Sequence, residues 1–240
     1  LSNEELMHDS LRAKNLIPLM EPYSGLTNFT HTGGGGEETT EDVLGTTGPD
    51  AIVDWVFLEL RAAANRAQVV ATRSALLQRD GDVVDVDGVS PVTFHAPSGQ
   101  YYAVAVRHRN HLGAQWGSSV YYPVCTAVET DFRFMPAAGF HTYNNLNPAQ
   151  RLIGSFYTLW AGNGRVDYQL KYNGSTNDRS VILELVGLTT SNNTVAGYRL
   201  SDYNLDGLVK YNGANNDRNV LLGSVGITSP SKIMYDQLAR

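Results

Sequence analysis

The sequence predicts a mainly β chain with a small α-containing module: an antiparallel β-sandwich followed by a duplicated pair of EF-hand-type loop plus helix. Three observations carry this. Short apolar runs separated by turn signals fill the stretch from Ala51 to Phe134. One stretch occurs twice near the C-terminus, from Asn163 to Gly187 and from Asp202 to Gly226, at a constant spacing of 39 residues. The second copy opens with oxygen-bearing side chains at alternate positions, the pattern of a calcium loop.

At 240 residues the chain is long enough for two modest domains with cores of their own. Hydrophobic content of 42% with 18% charged residues describes a folded protein, and a net charge of −6 without a basic stripe argues against nucleic-acid binding. The longest apolar run, around Ala51 to Leu60, is interrupted by Asp54 and too short to span a bilayer. Cys125 is the single cysteine, so no internal disulfide can form, and it reads as a small buried apolar residue.

In order along the chain, residues 1–40 read as an extended N-terminal segment and Gly-rich loop. Pro18 and Pro22 limit any helix in Leu1 to Leu26, which could either complete a neighbour's sheet by strand addition or pack back on its own. The run from Thr32 to Thr40 has four glycines but no following G-K-[ST], so a mobile connector is expected rather than a phosphate loop. Residues 41–135 read as the β-sandwich. Ile52 to Leu60 is apolar on both alternating faces, as a central strand requires. Val69 to Leu77 and Val83 to Val86 flank the hairpin signal Asp80-Gly81, Tyr102 to Val106 alternates, and Ala127 to Phe134 supplies a last strand. Residues 136–160 read as a linker, 161–228 as the repeat pair and 229–240 as a tail.

Lys171-Tyr-Asn-Gly174 and Lys210-Tyr-Asn-Gly213, and Asn177-Asp-Arg179 and Asn216-Asp-Arg218, superpose at the same offset. Units this short cannot bury an apolar face alone, so the two are expected to pack together. In the second, Asp202, Asn204 and Asp206 occupy loop positions 1, 3 and 5, Gly207 makes the sharp turn and Leu208 offers its carbonyl. Position 12 is Gly213, so the closing ligand would be Asp217 after an insertion of about four residues. Asp217 also opens an apolar pattern of Val220, Leu221 and Val225 at helical spacing, ended by Gly226. In the first copy Asn163, Arg165 and Asp167 hold positions 1, 3 and 5, Gln169 offers the carbonyl and Asp178 closes. An arginine cannot ligate a cation. Either this loop has lapsed, or Arg165 points outward while Asn163, Asp167 and Asp178 bind with water.

The duplicated loop, each followed by one short helix, resembles the paired calcium loops of type I dockerin modules. The KYNG…NDR form, with MHDSLR, IPLMEPYSGL, AIVDWVFLELR and VRHRNHLG upstream, is similar to the C-terminal region of large secreted Bacteroidota surface proteins. That resemblance implies an extracellular or cell-surface location, type IX secretion, Ca²⁺ as the bound ion, and no activity in particular. Asp9-Ser10-Leu11 resembles the short O-glycosylation motif of the same bacteria, with an exposed polar turn as the other reading. The start at Leu1 and the missing sorting domain after Arg240 are what processing on export would produce.

Other clusters carry less. Asp82 and Asp85 fall on opposite faces of an extended strand, so Asp80, Asp82, Asp85 and Asp87 read as solvated turn acids. His108 and His111 lack an HExxH helix, and Ser229-Pro-Ser-Lys232 lacks a K-T-G partner. The expected protein is therefore non-catalytic: structural or adhesive, stabilised by calcium, with self-assembly or other surface proteins and glycans as partners. A docking module for a cohesin-like partner and an accessory domain of a glycan-active hydrolase are the alternatives.

Overall fold

A computed structural model describes residues 6–240; the expectations for Leu1 to Glu5 lie outside them. Six antiparallel strands form one sheet: β1 (Ile52–Ala62), β2 (Val69–Gln78), β3 (Val83–Val84), β4 (Gln100–His108), β5 (His111–Gln115) and β6 (Val120–Tyr122). Their order is β3-β2-β1-β4-β5, with β6 also on β4, so β1 is central, as its two-sided apolar pattern requires. The Asp80-Gly81 turn joins β2 to β3, with Gly81 at φ +101°, a conformation that favours glycine. A register shift between Ile52 and Asp54 reverses the parity of β1 there. Ile52, Trp55 and Phe57 thereby share one core, while Val56 and Leu58 belong to another.

A sandwich needs a second sheet of comparable size, and among the described residues the other sheets have two strands each. The N-terminal segment does that work instead. Leu11, Ile17, Tyr23 and Phe29 fill the core over Trp55, Phe57 and Leu76. The rings of Tyr23, Phe29 and Phe57 pack with centroids 4.7–5.3 Å apart. Trp55 Nε1 donates to the Pro18 carbonyl at 2.9 Å, and Tyr23 Oη donates to the Trp55 carbonyl at 2.7 Å. The two prolines that limit helix thus leave an irregular strap, and its aromatic side chains replace a sheet layer. Leu11 is fully buried, so Asp9-Ser10-Leu11 is no exposed turn; Ser10 opens the four-residue helix α1 (Ser10–Ala13). A second short helix, α2 (Glu41–Leu44), precedes β1.

The opposite face of the sheet is covered by irregular chain carrying Phe94, Phe132 and Leu159. No strand forms at Ala127 to Phe134, because Asp131 folds the backbone into a turn by accepting from Arg133 N at 2.9 Å. The residues expected as a linker contain a hairpin of β7 (Arg151–Ile153) and β8 (Phe156–Thr158). Cys125, expected inside, is exposed: it sits at φ +56° in a loop that turns its side chain outward.

The two repeats fold alike. The first contains β9 (Gln169–Lys171), α3 (Asp178–Val186) and β10 (Thr194–Ala196); the second contains β11 (Leu208–Lys210), α4 (Asp217–Val225) and β12 (Ile233–Tyr235). Every boundary is displaced by the same 39 residues. Asn177 and Asn216 cap the helices, each accepting from the N–H three residues on at 2.9 Å, and Gly187 and Gly226 end them. The returning strands are exchanged. β10 pairs with β11 of the other repeat, and β12 pairs with β9. One core, with Leu170, Ile182, Val209, Leu221 and Met234, lies between the repeats. The expected tail is thus part of the module, with Met234, Gln237 and Leu238 buried.

Candidate functional site

Each repeat begins with a loop whose acids turn inward. In the second loop Asp202 accepts from Asp206 N at 3.1 Å and from Gly207 N at 2.8 Å, and Asp206 accepts from Leu208 N at 2.8 Å. Asp217, at the start of α4, reaches back to accept from Tyr203 N at 2.7 Å and Lys210 N at 2.8 Å. Asn204 Oδ1 accepts from Asp206 N at 3.0 Å. The first loop repeats the scheme. Asn163 accepts from Asp167 N at 3.1 Å, Asp167 from Gln169 N at 2.8 Å, and Asp178 from Arg165 N at 3.2 Å and Lys171 N at 2.8 Å. Val166 and Leu205, at position 4 of the two loops, both hold a left-handed backbone, φ +55° and +59°. That is costly for a β-branched valine and marks a turn imposed by its surroundings.

Arg165 points out of its loop. Its guanidinium lies along α3, donating to the Asn177 carbonyl at 3.1 Å, to Ser180 Oγ and to Glu184 at 3.1 Å. The position it vacates has no side-chain oxygen, so the first loop offers fewer ligands than the second.

Asp178, Asp202 and Asp217 are buried, and among the described residues no lysine or arginine pairs with them. Burial pushes Asp178 and Asp217 up to about 7 and Asp202 up to about 6, against the opposing pull of the backbone N–H groups they accept from. No three acids of either loop bring ligand atoms within 4.8 Å of one another; a cation there would also need the amide of Asn163 or Asn204 and the carbonyl of Gln169 or Leu208.

The β4–β5 turn plugs into the start of both loops. The Asn110 carbonyl accepts from Gly162 N at 3.0 Å and Asn163 N at 2.8 Å, and its side-chain amide donates to the carbonyls of Leu200 (3.0 Å) and Asp202 (2.7 Å). Next to it Arg109 donates to Asp54 at 3.0 Å and lies over the Tyr198 ring at 4.0 Å, while Tyr198 Oη donates to Asp54 at 2.6 Å. His108 Nε2 is 3.1 Å from Asp54, and the Nδ1 atoms of His108 and His111 are 2.9 Å apart. These histidines hydrogen-bond within the sheet and its turn, while Asn110 and Arg109 make the bonds to the repeats. The acids Asp80, Asp82, Asp85 and Asp87 do not converge: Asp85 pairs with Arg73 at 2.7 Å, Asp82 approaches Arg133 at 3.9 Å, and Asp87 caps a turn through Val89 N and Ser90 N.

Two features had no local sequence signal. A cleft of about 1180 Å³ lies between the sheet face away from the strap and the irregular chain over it, lined by residues including Val56, Phe94, Val104, Tyr122 and Phe132. Of the acids at its rim, Asp131 pairs with Arg133 at 2.9 Å. The other feature is a trio, Glu21, His31 and Glu37, with one ligand atom of each within 4.8 Å of the others; it could hold a metal ion. No family model, curated protein or solved structure matches the chain. No helix among the described residues is long and apolar enough to cross a membrane.

Proposed function

We propose that this is an extracellular or cell-surface structural or adhesive protein whose repeat module is stapled by Ca²⁺. The observation that carries the proposal is the pair of loops with one hydrogen-bonding scheme, holding buried carboxylates without a cationic partner, Asp178 in the first and Asp202 and Asp217 in the second. A hard dication would offset that charge, and because the cage is absent from the unfolded chain, its binding free energy becomes folding free energy. The second loop is the stronger site, with Asp202, Asn204, Asp206 and Asp217 against the arginine-interrupted first.

The non-catalytic reading rests on the absence of a catalytic motif in the sequence; at the cleft Asp131 and Asp82 gather around Arg133, and Asp80 and Glu129 line it as well. A cohesin-type docking module would need an apolar helix face in solvent. The faces of α3 and α4 carrying Ile182, Val186, Leu221 and Val225 are buried between the repeats, which favours a structural role. A filament subunit built by strand addition has less support, because Leu11, Ile17, Tyr23 and Phe29 already fill the chain's own core. Export by type IX secretion rests on the resemblance of the repeats and upstream motifs alone.

Calorimetric titration with Ca²⁺ tests the proposal. The parent should show a tight event that Asp206→Ala abolishes, while a weaker event from the first loop survives. Equal binding by parent and variant would overturn the assignment.

A further inference from the structure

We propose that Glu21, His31 and Glu37 form a metal site separate from the repeat loops, selective for a borderline divalent transition-metal ion such as Zn²⁺. The backbone builds it. Residues 19–21 lie antiparallel to residues 37–39, with Glu21 N donating to the Glu37 carbonyl and Thr39 N to the Leu19 carbonyl, both at 2.9 Å. This sets the two glutamates side by side. His31 is brought over them by the intervening loop, which is fixed to β2 where Thr72 N donates to the Thr32 carbonyl at 2.8 Å.

The glycine run makes this closure possible. A Cβ at Gly34 would lie 2.4 Å from the Thr72 carbonyl oxygen and 3.0 Å from Glu37 Oε1. At Gly35, φ +111°, it would lie 2.9 Å from His31 Cγ. Any side chain there would push the loop off the trio, so the glycines wrap a site instead of serving as a loose connector.

The polar groups inside are incompletely satisfied. The side chains of Glu21 and Glu37 are 0% and 2% exposed, and His31 is 13% exposed. Glu21 is well supplied with donors, from Tyr23 N at 2.6 Å, Ser24 N at 3.1 Å and Gly36 N at 3.2 Å. Glu37 Oε1 accepts from Gly35 N at 3.0 Å, but Glu37 Oε2 and both His31 nitrogens have no hydrogen-bond partner. His31 Nε2 stands 3.5 Å from Glu21 Oε1. A buried carboxylate oxygen and a buried imidazole, both unpartnered and facing each other's neighbours, are costly unless something sits between them.

Charge points the same way. The single arginine at the site, Arg73, is 3.4 Å from Glu37 and is shared with Asp85 at 2.7 Å, so two buried glutamates lack a full counter-charge. One dication bound to two carboxylates and a neutral imidazole would make the site neutral. The imidazole selects against Ca²⁺ and Mg²⁺, which take oxygen ligands, and in favour of Zn²⁺, which takes nitrogen and carboxylate oxygen together at about 2.0–2.2 Å. A water would complete the tetrahedron. The ion would pin the glycine loop and the N-terminal strap to the sheet.

The test is titration of the full chain with Zn²⁺ in saturating Ca²⁺, which occupies the repeat loops. One Zn²⁺ should bind per chain, and Glu37→Gln, close in shape to the parent, should weaken it at least tenfold while leaving Ca²⁺ binding unchanged. In the parent itself, Zn²⁺ should shift the ring ¹⁵N signals of His31 among the six histidines. Unaltered Zn²⁺ affinity in Glu37→Gln, a shift at another histidine, or no binding by the parent would each overturn the proposal.

Discussion

Asp54 is the residue on which the junction between sheet and repeats depends. Burial alone would raise its pKa, but Arg109, and then the hydrogen bonds from His108 and Tyr198, outweigh burial and hold the carboxyl far below the ordinary carboxylate range. Removing one partner of such a pair leaves a buried charge uncompensated. Arg109→Met should therefore cost about 3–5 kcal/mol, and adding Asp54→Asn should recover part of it. Urea unfolding of the two variants measures this; a double variant no more stable than Arg109→Met would contradict the pairing. The pH sign follows from the depressed folded value. The stabilisation is complete above the unfolded pKa near 3.8 and is lost as the pH falls below it. Asp54→Asn should flatten the acid limb of stability against pH, and an unchanged limb would assign acid unfolding to other groups.

The strand exchange sets what each repeat can do alone. Because β12 closes on β9 of the other repeat, deleting Pro230–Arg240 removes a partner from the first repeat as well as burial of Met234 and Leu238. Hydrogen exchange should show lost protection in both α3 and α4; loss confined to α4 would mean that the repeats fold independently. Met234→Ala should cost about 2–5 kcal/mol, as other buried truncations do. The loops and helices of this module were legible in the sequence because identical residues (Lys-Tyr-Asn-Gly, Asn-Asp-Arg) recur at one spacing. The exchanged strands were not, since Thr194-Val-Ala196 and Ile233-Met-Tyr235 share no residue and three residues carry no period. The same limit hid β6. The hairpin at Asp80-Gly81 and the central place of β1 could be read from local pattern, but a second sheet was inferred where Tyr23 and Phe29, on a segment without periodicity, supply the covering layer. Glu21, His31 and Glu37 meet only through the 19–21 and 37–39 pairing, a contact that no local spacing records.

At the scale of the whole molecule, sheet and module are joined by cores as well as by polar contacts. Val166 of the first loop and Leu205 of the second pack on the core under the N-terminal strap, Leu112 of β5 enters the core between the repeats, and Lys14 donates to the Asp206 carbonyl. Loss of the proposed loop ion should therefore be felt first in the repeats and then at this seam. An ion bound only to the native state adds about 2.7 kcal/mol at a hundred times its dissociation constant, which is enough to separate a module from a sheet that gains nothing directly. Calorimetry should give one cooperative transition in Ca²⁺ that divides under chelator, the lower part belonging to the repeats. Limited proteolysis with chelator should then cut first between Asn163 and Gly226, at backbone held only by the loop hydrogen bonds, while β1, β2 and β4 stay protected. Cleavage that begins in the sheet with the repeats intact would mean that the ion does not hold the module, and that the exchanged strands and the Asn110 plug suffice to keep it folded.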